Sequence, residues 1–426
     1  MPLPAPLSRR RLLAWLASGL PAAGIAGLGG VAPGVRAQAR REVRLAFIDP
    51  LSGPAGDIGR NSLRSWQFLA EKLGGNAHPA GLQLRVAGFD NKASPQESLN
   101  ALKAAIDHGF RYIVQGNGSG VSAALSEAIV RHNGRFPRQQ VLLINYAAMD
   151  PALTSERCTP WHFRVDADTA MKMRAMTRFI AGHTEWRRIY LINQNYAHGQ
   201  QFSRWFRTEM AHQSAYVEVV GDELHPPFAR QDFGPYVDRC LASGAQALAT
   251  GNWGVDMLGL VKALHQRGAC IPLFGYYPSL NGTPAALAAG GERLPVYQVA
   301  TGHTNLPGPM RPLAAEFRRR YGEDLVVHAA YDGVRMLLQA MHDAASTDVE
   351  RVGVRLENLV FEGFNGPVRM RAQDHQLQTG LFISRWQHTD AAHPVGAEGT
   401  DYTFAPVAYL APEQASVGTA CRMLRG

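Results

Sequence analysis

From residue 43 onward the chain repeats one unit, a short apolar run followed by a stretch with apolar residues at helical spacing. That alternation restricts it to an α/β architecture. Residues 43–48 form the first β-rich run, and 61–73 carries Leu63, Trp66, Phe68, Leu69 and Leu73 on one helical face. Residues 82–89, 112–114 and 141–145 read as further strands, and 96–108 and 121–132 as helices, the former closed by Gly109. The order restarts after Phe163, with strands at 188–193, 217–224, 247–250 and 273–274 and helices at 200–212, 233–243 and 257–266. Beyond Pro295 come a strand at 296–301, helices at 312–321 and 329–345, and a strand-like run at 380–386. Strands separated by helices need crossover connections, so the predicted sheets are parallel and covered on both faces. No low-complexity linker divides the halves, which suits two lobes sharing several chain crossings.

The N-terminus reads as a targeting segment. Ser8-Arg9-Arg10-Arg11-Leu12-Leu13 gives a twin-arginine n-region, residues 12–25 an apolar h-region, and Ala37-Gln38-Ala39 the small-x-small pattern that signal peptidase accepts. Gly19, Pro21, Gly24, Gly27 and Pro33 interrupt the apolar run, which argues against a membrane anchor. Cleavage is expected near Ala39. Four of the arginines and no acid lie in this leader, so net charge falls from +8 to +4, leaving 39 Lys and Arg against 35 Asp and Glu. The mature chain has no long basic run with interleaved aromatics, and nucleic-acid binding is not expected. No segment after the leader approaches the roughly 20 apolar residues of a membrane helix.

Cys158, Cys240, Cys270 and Cys421 have no CxxC spacing and no neighbouring His that would suggest a zinc site. An oxidising compartment permits disulfides, and four cysteines allow three connectivities. Cys158 with Cys421 would tie the chain end to a loop, leaving Cys240 and Cys270 as buried thiols.

The sharpest local signal is Gly116-Asn117-Gly118-Ser119-Gly120, between an apolar strand and a helix. Glycines there admit close backbone approach, free N–H groups at a helix start favour an anion, and Ser119 adds a hydroxyl; a tight turn with a capping serine has the same appearance. The loop fails GxGxxG at Val121 and GxSxG at Gly118, which counts against a dinucleotide enzyme and a serine hydrolase. Aromatics recur at equivalent strand-to-helix loops: Tyr146, Tyr196 beside His198, Trp253, and Tyr276-Tyr277. Such loops bind ligands in open α/β sheets. Asp49, Asp150, Asp166, Asp168 and Asp256 are predicted in loops without the spacing of an acid–base pair, and no His, Cys or acidic pattern specifies a metal. No catalytic residue, metal or cofactor is expected.

In this order, several motifs resemble the branched-chain amino acid (Leu/Ile/Val-binding) type of periplasmic solute-binding protein of ABC importers. They are Pro50-Leu51-Ser52-Gly53-Pro54, Leu73-Gly74-Gly75, Phe89-Asp90-Asn91 with Pro95, the Gly-Ser-Gly loop, the run from Ala147 to Thr154, Phe163-Arg164, and Tyr196-Ala197-His198-Gly199. The likeness spans nearly the whole mature chain. It implies a type I periplasmic binding protein fold, two Rossmann-like lobes with a three-crossing hinge: 42–165 plus 300–376, and 166–299 plus 377–426, after a signal peptide at 1–39. It implies a monomeric periplasmic receptor, not an enzyme, that delivers a small-molecule ligand to a permease and ATPase. By position, Ser119 and Gly120 would hold a ligand carboxylate with the backbone of Ala147 and Ala148 beside it, and His198, Trp253, Asp256, Tyr277 and Met149 would complete the site. Met149 replaces a hydroxyl residue and Tyr277 stands near the acid that pairs with an amino acid's ammonium, so the expected cargo extends to organic or aromatic carboxylates. A periplasmic ligand sensor and a secreted α/β hydrolase are the alternatives.

Overall fold

The computed structural model describes residues 41–423 except 79, 230, 231, 304, 306, 307 and 309. The expected signal peptide and its cleavage near Ala39 lie outside the described residues. Five parallel strands make the first sheet: β1 (Arg41–Asp49), β2 (Leu82–Asp90), β3 (Tyr112–Gln115), β4 (Leu142–Asn145) and β5 (His162–Arg164), in the order β2-β1-β3-β4-β5. Leu45, Ala46, Phe47 and Ile48 are all wholly buried, as expected of a strand with helices on both faces. The covering helices are α1 (Gly56–Leu73), α2 (Pro95–Asp107) and α3 (Ser119–Arg135). In α2, Ser94 accepts from the amide of Glu97 and Pro95 occupies the first turn. Helix α1 begins five residues earlier than its apolar periodicity predicts. A Cβ at Gly59 would lie 1.7 Å from the carbonyl oxygen of Pro50, so the helix start can press on that loop only as glycine.

The second sheet holds β6 (Arg188–Gln194), β7 (Glu218–His225), β8 (Ala247–Thr250), β9 (Leu273–Gly275) and β10 (Val296–Ala300), all parallel. After β10 the chain returns to the first unit. There the helix Ala329–Asp343 and Phe317 join the core of Phe47, Trp66 and Tyr112, and β11 (Val360–Gly363), β12 (Gly366–Met370) and β13 (Leu377–Gln378) form a small antiparallel sheet. It then goes back for β14 (Leu381–His388) and β15 (Tyr402–Leu410), which add an antiparallel edge to the second sheet. The second sheet is therefore mixed, five parallel strands with an antiparallel edge pair, and the parallel sheets expected from the sequence form the body of both units. Pro406 hides β15 in the sequence; it is tolerated because β15 is an edge strand and the register shifts there. No helix among the described residues is long and apolar enough to cross a membrane.

Chain passes between the two units thus follow β5, β10 and β13. Arg164, at the end of β5, is fully buried and uses its whole donor set. Its Nε donates to Gln376 Oε1 (2.5 Å), Nη1 to the carbonyls of Ala148 (3.2 Å) and Asp150 (2.7 Å), and Nη2 to Asp168 Oδ2 (3.0 Å) and the Thr154 hydroxyl. Asp168 in turn caps the helix Thr169–Ala181 through the amide of Met171, 2.8 Å away. Cys158 and Cys421 are disulfide-bonded, fastening the C-terminal tail; Cys240 is buried, but Cys270 is exposed, contrary to expectation. Removing one member of a buried charge network strands its partners. Arg164→Ala is expected to lower unfolding free energy by about 3–5 kcal/mol in urea titration, with Arg164→Lys also well below wild type because an ammonium cannot supply five directed donors.

Candidate functional site

Two adjoining chambers, of about 30 and 90 Å3, share Asn117, Ala147, Tyr277 and Leu280 and form one cleft. Most of the segments lining it follow a strand's carboxyl end: β3 and β4 on one wall, β6, β8, β9 and β10 on the other. Open α/β sheets place ligands at such ends. A larger cavity of about 230 Å3 lies elsewhere, beside the C-terminal residues 417–420, where Arg371 and Asp374 already pair with each other.

The first wall is organised by Asp49, which ends β1 and does not lie in the predicted loop. Its buried carboxylate accepts from the amides of Asn117 (2.9 Å) and Gly116 (3.4 Å), from Gln115 Nε2 (3.2 Å), from Asn117 Nδ2 (3.3 Å) and from the Tyr146 hydroxyl. Burial pushes its pKa up to about 7, against the pull of these donors. Position 116 must be glycine, because a Cβ there would lie 2.6 Å from the Tyr146 ring. Gly118 at φ +101° then turns the chain into α3, whose first amides have no acceptor within the helix. Ser119 is buried and its hydroxyl accepts from the amide of Asp150 at 3.2 Å, which leaves its own proton free to donate toward the cleft.

On the second wall, His198 sits in the first turn of the helix Ala197–Gln213, not in a loop, and is buried. Its Nε2 lies 2.8 Å from the carbonyl of Gly251 and must donate there. Burial lowers its pKa to about 4, so the ring is neutral near pH 7. Trp253 donates through Nε1 to the Tyr196 hydroxyl at 2.7 Å and packs with Ala55 and Ile58 from the first unit, so an apolar contact closes one side of the cleft.

Of the nine residues expected in the site, Ser119, Ala147, Ala148, Met149, His198, Trp253 and Tyr277 line the chambers. Gly120 and Asp256 do not. Gly120 is exposed on α3, while Asp256, on the helix Val255–Gln266, is buried with Oδ2 accepting from Gln194 Nε2 (2.6 Å) and the Phe228 amide (2.8 Å). Nor do Ala147 and Ala148 offer amides, since both donate to Asn145 Oδ1 at 3.1 and 2.7 Å. Sequence reasoning named Asn117 only as part of the glycine loop, missed Lys172 and Gln298 and assigned Asp166 no role, though all four line the larger chamber. Lys172 is buried and its Nζ meets Asp166 Oδ2 at 2.9 Å. The available signal was a lone lysine among Met171, Met173, Ala175 and Met176.

A family model described as periplasmic binding protein matches residues 42–392. Leu/Ile/Val-binding protein homolog 4 of Brucella abortus (strain 2308) is 27% identical over 379 residues, covering 85% of this chain and 88% of that protein. Its counterpart in Brucella melitensis biotype 1 is 26% identical over the same length. Among solved structures, the leucine-, isoleucine-, valine-, threonine- and alanine-binding protein from Brucella ovis, in closed conformation, superposes with a TM-score of 0.79 at 24% identity, over 91% of this chain and 100% of that one. A solute-binding protein of an ABC transporter from Rhodopseudomonas palustris HaA2, in complex with p-hydroxybenzoic acid, gives 0.72 at 16% identity, over 87% and 98%. With motif order, sheet topology and these matches in agreement, the chain belongs to the periplasmic binding protein family.

Proposed function

We propose that the cleft captures a small organic carboxylate, in preference to an α-amino acid, and releases it unchanged to the permease and ATPase of an importer. The observation that carries this reading is the charge pattern of the lining. The start of α3 and Ser119 offer donors for a carboxylate, whereas Asp166, the one acid lining either chamber among the described residues, already holds Lys172. An ammonium buried there would lack a counter-ion, which is strongly unfavourable. The p-hydroxybenzoic acid complex of the Rhodopseudomonas palustris relative supports the same ligand class. Binding without turnover is supported by Ser119: its described partner is the Asp150 amide, not a general base. In this reading, residues 42–165 with 300–376 and 166–299 with 377–426 close as lobes, and a monomer works in the periplasm after cleavage near Ala39.

Thermal-shift titration of the purified protein tests the ligand class. Benzoate-type or short-chain carboxylates are expected to stabilise it, by about 2.7 kcal/mol at one hundred times Kd, and Ser119→Ala to weaken their binding by about 1–3 kcal/mol. Stabilisation by leucine, isoleucine and valine alone would overturn the proposal. Acid sensitivity provides a separate check. His198 has a folded pKa of about 4 against an ordinary 6.5, so its contribution to stability is present above pH 6.5 and is lost as pH falls toward 4. Between pH 7.5 and 4.5 the Tm of His198→Gln is expected to fall less steeply than that of the wild type.

A further inference from the structure

We propose that the far end of the larger chamber is a hydroxyl-recognition pole, so that the ligand is a hydroxylated carboxylic acid with an apolar body. The inference rests on the carboxylate reading above. Three polar groups there have unused capacity. Tyr276 is buried and, among the described residues, its hydroxyl has no hydrogen-bond partner; Gln298 is buried and its Oε1 has none among them either. Lys172 Nζ, 5.6 Å from the centre of the Tyr276 ring, has three protons and, among the described residues, one acceptor, Asp166 Oδ2. All line the same chamber, whose remaining surface includes Ile58, Leu280 and Val327.

Native proteins rarely leave buried polar atoms unsatisfied, so these groups specify what should meet them. A hydrocarbon terminus would leave Tyr276 and Gln298 orphaned. A second carboxylate would bring an unmatched negative charge, because Asp166 already neutralises Lys172, and it has no proton for Gln298 Oε1. An ammonium would face Lys172. A hydroxyl satisfies all three: its proton goes to Gln298 Oε1, and its lone pairs accept from Lys172 and Tyr276. The apolar surface between the poles suits a ring or alkyl spacer that keeps hydroxyl and carboxylate apart.

Calorimetric titration of the full chain with matched probes tests this: benzoate against 4-hydroxybenzoate, 3-phenylpropionate against 3-(4-hydroxyphenyl)propionate, with terephthalate and leucine alongside. In at least one pair the hydroxylated acid is expected to bind about tenfold tighter or more, equivalent to about 1.4 kcal/mol, and terephthalate more weakly than 4-hydroxybenzoate. In Gln298→Leu, and independently in Tyr276→Phe, which removes only the hydroxyl, that ratio is expected to fall toward one. Equal affinities within both pairs, or a ratio unchanged in both variants, would overturn the hydroxyl pole while leaving the carboxylate receptor intact. Binding of leucine but of no carboxylate in the set would overturn both.

Discussion

The guanidinium of Arg164 is the point on which the rest of the molecule depends. It lies where the chain first leaves the first sheet, and its five donors reach the loop after β4, the cap of the helix Thr169–Ala181 and Gln376, just before β13. Gln376 passes the connection on, donating through Nε2 to the carbonyl of Asp166 at 2.8 Å. Two of the three passes between the units are therefore held in one hydrogen-bonded cluster. A charge so deeply buried is tolerated only because every donor is met. Its geometry then fixes two things the cleft needs, the course of the Ala147–Asp150 segment and the position of Asp166.

Asp49 has the corresponding role within the first wall. A carboxylate at the end of β1 accepting from three successive residues, Gln115, Gly116 and Asn117, holds the glycine loop in one shape before any ligand arrives. Preorganised donors lose little on binding, so more of the interaction appears as affinity. The second wall is built differently. His198 is neutral and Lys172 is matched by Asp166, so that wall offers directional hydrogen bonds without net charge.

The division between what could and could not be read from sequence follows from range. The glycine loop and the aromatics after strands are local patterns, and seven of the nine expected site residues do line the cleft. Gly120 does not line the cleft because helix α3 begins two residues sooner than expected and turns that position outward, and Asp256 does not because a helix starting at Val255 buries it behind the wall. Lys172 and Gln298 could not be found by spacing, since 126 positions separate them and only the packing of Thr169–Ala181 beside β10 unites them. The helix Thr169–Ala181 escaped notice because most of its residues are buried, which blurs the polar face that marks a surface helix. The edge strand β15 was masked by Pro406, a residue that ordinarily argues against a strand.

Closure and recognition share residues, and this limits how strongly either can be tuned. Trp253 contacts Ala55 and Ile58 across the cleft while also lining the smaller chamber. The contact is small, three buried residues with Phe228, Tyr277 and Leu280 packed around them, so it joins the two walls without a large apolar interface. A ligand shifts such an equilibrium only by what it binds better in the closed state than in the open one. Donors on α3 belong to one unit, and Tyr276, Gln298 and Lys172 to the other, so on the proposed reading a ligand touching both sets would gain its second half only when the cleft shuts. On the proposed reading, a solute that satisfies one wall alone would bind without drawing the walls together, and selectivity would reside in spanning the cleft more than in either wall by itself.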